Sequence, residues 1–565
     1  MRQREYPASP AWSETLARWR NLLFGNREIS CPARLARALV RTGKAGGLKP
    51  VMHGQEKSDP SIVAMKPANE GGRPLEELVE PREGAEGNAG QHGMRRTPSR
   101  ESMCHGLDRV RQAARERRQE RFTALLHHVD VELLRLAYGW LRKEATAGVD
   151  GVTWEDYGDG LEGRLADLHG RIHRGAYRTQ PSRRVYIPKP DGRRRPLGIA
   201  ALEDKIVQRA LVEVLNAIWE EDFLGFSYGF RPGRGQHDAL DALAVGISRS
   251  KVNWILDADI AGFFDAVSHE WLLRFVEHRV GDQRVLRLIR KWLKAGVAED
   301  GVAEDGVIKP GEVGTPQGAV ISPLLANIYL HYVFDLWANQ WRQRHARGNV
   351  IMVRYADDIV VGFEHKAEAE RFLAEMRERL AAFALTLHGQ KTRLIEFGRN
   401  AARNRTGRGE GKPETFDFLG FTHICGRSLR GRFLLLRRTR RDRMTARLVA
   451  LGDQLRRRMH TAIDEQGAWL GQVVRGFFAY HAVPTNFAAL AAFRDHVTRL
   501  WWRTLRRRSQ KDRCAWERIK TLADRWLPKP RITHPWPSDR FAVRHPRWEP
   551  YAGNPPVRFC AGGAR

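Results

Sequence analysis

Residues 349–364 read NVIMVRYADDIVVGFE, with two adjacent carboxylates, Asp357 and Asp358, between two runs of apolar β-formers. The pattern predicts strands over Val350–Tyr355 and Ile359–Phe363 with a turn near Ala356–Asp357. Asp is common in turns, so a solvated hairpin tip is the plain reading. The chemical reading is a divalent-cation site, because adjacent carboxylates repel and a cation relieves the repulsion. Magnesium is held through one or two carboxylates plus substrate phosphates, so a third acid must come from a neighbouring strand end. WILDADIAGFFDAVSH, residues 254–269, offers one: an apolar strand over Trp254–Leu256 runs into Asp257 and Asp259, and the aromatic pair Phe263–Phe264 follows. Three such carboxylates could share a divalent cation whose remaining ligands are phosphate oxygens.

Those acids need elements to hold them. The helix expected over EDKIVQRALVEVLNAIWEEDF carries Ile206, Val207, Ala210, Leu211, Val214, Leu215, Ile218 and Trp219 on one stripe. EAERFLAEMRERLAAFAL reads as a second amphipathic helix. Strands mixed with helices predict an α+β region from Leu107 to roughly Gly426. Beyond Arg427 the chain is expected to be helical and basic: residues 427–458 hold twelve arginines against two acids, Asp442 and Asp453. Residues 511–565 are rich in Pro, Trp, Arg and His and show little periodicity. Near the start, SETLARWRNLLF suggests a short helix. His53–Ser102 is rich in Gly, Pro, Glu and Ser and is expected to stay mobile until it meets a partner. A short repeat, VAEDGVAEDGV, suggests a surface loop.

The 565 residues carry 96 Lys plus Arg against 66 Asp plus Glu, a formal charge of +30. That excess points to a polyanionic partner, nucleic acid before a membrane surface. No apolar run approaches the roughly 18 residues of a membrane span, and no secretory leader is visible. Five isolated cysteines (Cys31, Cys104, Cys425, Cys514 and Cys560) without a CxxC pair argue against a disulfide framework or a four-ligand zinc site. A reducing, cytoplasmic compartment follows.

From about Leu107 onward the chain resembles a bacterial group II intron-encoded reverse transcriptase, or maturase. The resemblance rests on seven motifs in the family's order over about 400 residues: RRVYIPKPDGRRRPLGI, SYGFRPGRGQHDAL, DADIAGFFD, VGTPQGAVISPLLANIYL, YADD, LHGQKTRLIEFG and FDFLGF. RGFFAYHAVPTN and LWWRTLRRRSQK resemble the maturase domain. An alanine, Ala319, stands where the family usually has glycine, and the repeated AEDGV lengthens a loop. The resemblance implies an α+β right-hand polymerase, with fingers and an antiparallel palm followed by an α-helical thumb or maturase domain. The expected divisions are a basic leader (1–105), an N-terminal extension with fingers (106–250), the palm (251–426), the thumb (427–510) and a basic nucleic-acid-binding extension (511–565). The HNH nuclease that ends some family members is expected to be absent.

The resemblance also implies roles. Asp259, Asp357, Asp358 and Lys391 form the catalytic set, and Asp259, Ile260, Asp357 and Asp358 the set for two Mg2+ ions. Lys391 would protonate the leaving pyrophosphate. Arg183, Lys189 and Arg195 would meet the incoming triphosphate, and Gln317 would pack against template and nucleotide. Phe264, five residues after Asp259, stands where the family blocks a 2′-hydroxyl. Arg437, Arg438, Arg440 and Arg441 are the expected RNA-binding residues. The aromatics Phe477, Phe478, Tyr480, Trp501 and Trp502 sit at helical spacings and read as core before base-stacking platforms. The implied partners are the intron RNA, a DNA target and primer, and dNTPs; a homodimer is compatible with them, and a nucleoid-associated location is expected. The implied function is RNA-directed DNA synthesis together with help to intron splicing and mobility by target-primed reverse transcription. A splicing-only RNA-binding protein with a relic palm is one alternative, and a retron or CRISPR-linked reverse transcriptase is another.

Overall fold

The computed structural model describes residues 98–188, 194–299, 314, 318–508, 514–544, 548–551 and 558–561. The expected helix at SETLARWRNLLF and nearly all of the expected mobile segment lie outside these residues, as do Lys189, Gln317 and most of the AEDGV repeat. Among the described residues no helix is long and apolar enough to cross a membrane.

The acid-bearing segments lie in one antiparallel sheet. Its strands are β3 (Trp254–Asp259), β5 (Val350–Tyr355), β6 (Asp358–Phe363) and β7 (Arg393–Glu396), in the order β5-β6-β3-β7. All six residues of β5 are buried, without alternation, so both of its faces are covered. The helix α2 (Leu202–Asp222) is also buried on nearly every side, not along one stripe: Asp204, Lys205, Gln208, Arg209 and Val212 join the apolar set. A helix hydrophobic or enclosed all round belongs in an interior. A smaller sheet precedes it, with β1 (Ser182–Pro188) between β2 (Arg194–Ile199) and β4 (Val297–Glu299). Gly318, at φ +110°, lies against this sheet; a Cβ there would stand 2.8 Å from the Gly198 carbonyl oxygen. Next to α3 (Gln236–Arg249) lies a third sheet of β8 (Phe416–Phe418), β9 (Phe421–Arg427) and β10 (Phe433–Thr439). Its Phe416, Phe418, Phe421 and Leu435 share one apolar core with Leu240 and Leu243 of α3 and with Ile255, Val353 and Val360 of the acid-bearing sheet.

The expected helical start at Arg427 is corrected here. Arg427 ends β9, the hairpin returns along β10, and the first C-terminal helix, α8 (Arg441–Arg457), begins 14 residues later. It is followed by α9 (Ile463–His481), α10 (Phe487–Arg506) and α11 (Trp516–Trp526). Leu451, Leu455, Leu470, Val474, Phe478, Phe493, Val497 and Trp501 form their common core. Trp501 is fully buried and donates from Nε1 to Gln466 Oε1 at 2.9 Å, which satisfies its one polar atom. Phe477 stacks on Phe493 and Tyr480 on Phe421, so the aromatics pack mainly against protein. The division expected at 511 cuts this core, since Cys514, Ile519, Ala523 and Leu527 belong to it. The chain past 511 also contains a further helix, α12 (Pro537–Arg544).

The strand period explains a second correction. Along β10, Leu435, Arg437 and Thr439 point inward and Arg438 lies on the other face. Arg437 is 3% exposed and pairs through Nη1 with Asp241 Oδ1 of α3 at 2.9 Å. It cannot reach an RNA phosphate. Arg540 of α12 approaches Asp241 Oδ2 at 3.0 Å from the other side. One buried carboxylate thus ties α3, the third sheet and the last helix together. Burial pushes the Asp241 pKa up, and the two guanidinium groups oppose that push. Asp241→Asn should leave both arginines facing a neutral amide and cost about 3–5 kcal/mol. Arg540→Ala should cost less, because Arg437 still satisfies the acid. Chemical denaturation checks this order, and a loss below about 1 kcal/mol for Asp241→Asn would show that the bridge adds nothing to stability.

Candidate active site

Period-two geometry and strand register assemble the acids. Asp257 and Asp259 are two apart on β3 and share a face. The β3–β6 register places Asp259 directly opposite Asp358. Asp357 sits in the two-residue turn between β5 and β6, whose other member, Ala356, has φ +54°. Directly opposed like charges destabilise a sheet. Asp358 is exposed at the start of β6, though protein crowds much of its surroundings. Desolvation there, and then the charges of Asp357, Asp259 and Asp257, push its pKa up to about 7. Burial, then Asp417 and Asp259, raises Asp257 to about 6 against the pull of Arg393, 3.7 Å away.

Lys391 reaches the same end of the sheet. The loop after α7 (Lys366–Ala381) is pinned to β3 by two main-chain bonds, Ala261 N to Thr386 O and His388 N to Asp259 O, both 2.8 Å. Lys391 Nζ lies 2.8 Å from Asp259 Oδ2. Ile260 is buried and bridges to Leu387 in this loop. Phe263 and Phe264 open a short helix, Phe263–Ala266, directly behind Asp259. Phe263 is the buried member and meets Tyr329 edge-on, while Phe264 is half-buried.

Other expected site residues lie elsewhere. Arg183 stands on β1 and donates from Nη2 to the Ala147 carbonyl at 2.9 Å. Arg195 pairs with Ile187 across β1 and β2, which gives its place along the backbone. Lys189 and Gln317 lie outside the described residues. Arg438 is half-buried and Arg441 exposed, whereas Arg440 pairs with Asp442 at 2.6 Å and Asp417 at 3.5 Å. Arg437 is the interior residue described above.

The oxygen-only donor set of Asp259, Asp357 and Asp358 suits a hard divalent cation. Among the described residues no three His, Cys, Asp or Glu side chains converge into a cage on their own. Phosphate oxygens would have to complete the coordination. Two members of the site went unrecognised in the sequence. Asp257 was signalled by its i, i+2 spacing from Asp259. Arg354 was signalled by a charge inside an otherwise apolar strand.

The family described as reverse transcriptase (RNA-dependent DNA polymerase) matches residues 187–423. Protein YkfC of Escherichia coli K12 is 35% identical over 304 residues, covering 47% of this chain and 78% of YkfC. The group II intron-encoded protein LtrA of Lactococcus lactis is 35% identical over 228 residues, covering 40% of this chain and 37% of LtrA. The 91 kDa protein in the cob intron of Schizosaccharomyces pombe is 35% identical over 203 residues, covering 35% of this chain and 24% of that protein. The matched stretch therefore spans well under half of these two intron proteins. With its matched domain centred on the acid-bearing sheet and most of YkfC covered at this identity, the chain belongs to the reverse transcriptase family.

Proposed function

We propose that the protein is the RNA-directed DNA polymerase of a group II intron and that it also binds the intron RNA to assist splicing and mobility. The observation that carries the polymerase reading is the cross-strand pair Asp259–Asp358, with Asp357 in the adjoining turn and Lys391 on Asp259. In this reading the first two sheets and α2 are fingers and palm, and the helices from Arg441 to Trp526 are the thumb. Asp259, Asp357 and Asp358, with Ile260 beside them, would hold two Mg2+ ions. Bound magnesium would activate the primer hydroxyl and offset charge on the reacting phosphate. The chain's own groups do the rest. Lys391, held beside Asp259, would hand a proton to departing pyrophosphate. Arg183, Lys189 and Arg195 neutralise the triphosphate, Gln317 packs on template and nucleotide, and Phe264 limits room at the sugar.

The intron reading is supported by the relatives' names and by exposed basic groups on the C-terminal helices, of which Arg443 lies near enough to Asp358 to oppose its raised pKa. The C-terminal helices expose Arg441, Arg443, Arg456 and Arg457, and phosphate neutralisation is their chemistry. A DNA target and primer are the remaining partners of target-primed synthesis, which suits a cytoplasmic, nucleoid-associated protein.

Asp259→Ala and Asp357→Ala should abolish primer extension on an RNA template, a loss of at least about a thousandfold. In EDTA, Asp358→Asn should raise stability by up to about 1 kcal/mol, because it removes one of two opposed charges. A purified Asp259→Ala protein that still extends primers would refute the assignment.

Phe264→Ala should admit ribonucleotides and raise the rNTP to dNTP incorporation ratio by about tenfold or more. An unchanged ratio at full activity would make Phe264 a packing residue alone.

Replacing Arg438, Arg440 and Arg441 together by Ala should weaken intron RNA binding. It should flatten the log–log salt dependence by up to about two to three units, less any share held by the Arg440 ion pairs. Splicing at low magnesium should fall with binding, while extension of a saturating, pre-annealed primer falls far less. Asp357→Ala should do the reverse. Proportional loss of both activities in both variants would rule out this division of labour.

A further inference from the structure

Arg354 lies in β5, two residues before the turn, and is fully buried. A guanidinium has five N–H donors and no acceptor, and burial without partners would be severe. All five are used. Nε donates to Asp335 Oδ1 at 2.7 Å and Nη2 to Asp335 Oδ2 at 2.5 Å. Nη2 also donates to Ser227 Oγ at 2.7 Å. Nη1 donates to Asn327 Oδ1 at 3.0 Å and to the Ala356 carbonyl at 3.1 Å.

These acceptors come from separate stretches of chain. Ser227 lies in the loop after α2. Asn327 lies in α5 (Ser322–Leu330), and Asp335 ends the π-helical turn His331–Asp335 that follows. Such single wide turns recur at functional sites. The main chain repeats the link: Arg354 N donates to Phe226 O and Tyr228 N to Arg354 O, both at 2.8 Å. Asn327 Nδ2 donates to Gly229 O at 2.7 Å. Gly229 in turn touches the hairpin turn, since a Cβ there would stand 2.3 Å from Ala356 N.

The turn residue Ala356 is therefore gripped at both ends, by Gly229 at its nitrogen and by Arg354 at its carbonyl. Its left-handed backbone is uncommon for a residue with a Cβ and persists only where the surroundings impose it. The gripped carbonyl belongs to the peptide that leads into Asp357. A core ion pair would need only Asp335; the bond to Ala356 links the buried cluster to the acid's backbone.

We propose that Arg354, with Asn327, is a positioning residue for the polymerase reaction: it fixes the Ala356–Asp357 peptide so that Asp357 meets Asp259 and Asp358 in metal-holding register. The inference rests on the reading of Asp357 as a metal-holding carboxylate.

Two variants test it in the full-length protein. Arg354→Lys keeps a charge opposite Asp335 but has three donors and no planar fork. Asn327→Ala leaves the ion pair whole and removes the tie between Arg354 and Gly229. The measurements are thermal unfolding in EDTA, Mn2+ binding by electron paramagnetic resonance, and the Mg2+ concentration for half-maximal primer extension. Folded variants should bind Mn2+ about tenfold more weakly, with the Mg2+ midpoint raised by a similar factor and activity partly restored at high Mg2+. Wild-type Mn2+ affinity and Mg2+ midpoint, with activity falling only as the folded fraction falls, would overturn the proposal. If Arg354→Lys does not fold, Asn327→Ala decides alone. Asp357→Ala, run in parallel, separates the two levels. Undiminished Mn2+ binding in that variant defeats the metal reading itself. Lost binding there, beside unchanged Arg354 and Asn327 variants, defeats only the positioning role.

Discussion

Carboxylates facing one another across two strands repel, and the fold around Asp259 and Asp358 is arranged to withstand that repulsion. The strands that carry them are enclosed by apolar side chains almost to their ends, so the register cannot slip to separate the charges. A one-residue slip would turn every side chain of β6 to the opposite face. The cost of holding like charges together falls on the core beneath them, and under the proposed function a cation would relieve it. This is strain of an electrostatic kind stored at a site of chemistry.

Positive charge serves two different purposes in this chain. Some guanidinium groups are structural: Arg354, Arg231 and Arg437 are buried and meet carboxylates and carbonyls of other elements. Others, on the C-terminal helices, face solvent and suit a polyanion. Each of these three is paired with an acid and cancels in the net charge of +30, so the arginine count, not the net charge, overstates the surface offered to nucleic acid.

That the acids meet was legible in the sequence because their surroundings are local: an apolar strand, an acid at its end, an aromatic pair, then a second strand pair. Arg437 was misread because its environment is not local. Its partner Asp241 lies 196 residues earlier, and a run of arginines resembles a solvated face until strand alternation sorts inner from outer members. The hairpin at β9–β10 was hidden in that same run. Past residue 511, abundant Pro, Trp and Arg masked a helical pattern whose apolar members, Ile519, Ala523 and Leu527, complete a core begun at Leu451. Asp257 was noted at its strand end but given no role, and Arg354 could have been found by asking why a charge sits in an apolar strand.

The Asp241 bridge also bears on how the chain is made. The acid lies on α3, yet its partners Arg437 and Arg540 emerge from the ribosome about 200 and 300 residues later. At roughly 5–20 residues per second, that gap is on the order of 15–60 s. Until Arg437 is made, α3 carries a carboxylate destined for burial with neither of these two guanidinium groups to receive it, although β6 and β7 are already there to pair with β3. The acid-bearing sheet is thus made before the bridge that fastens α3 to the third sheet. Completion of the bridge is the late event, and it leaves α3 less firmly held, within reach of chaperones and proteases, until α12 has docked.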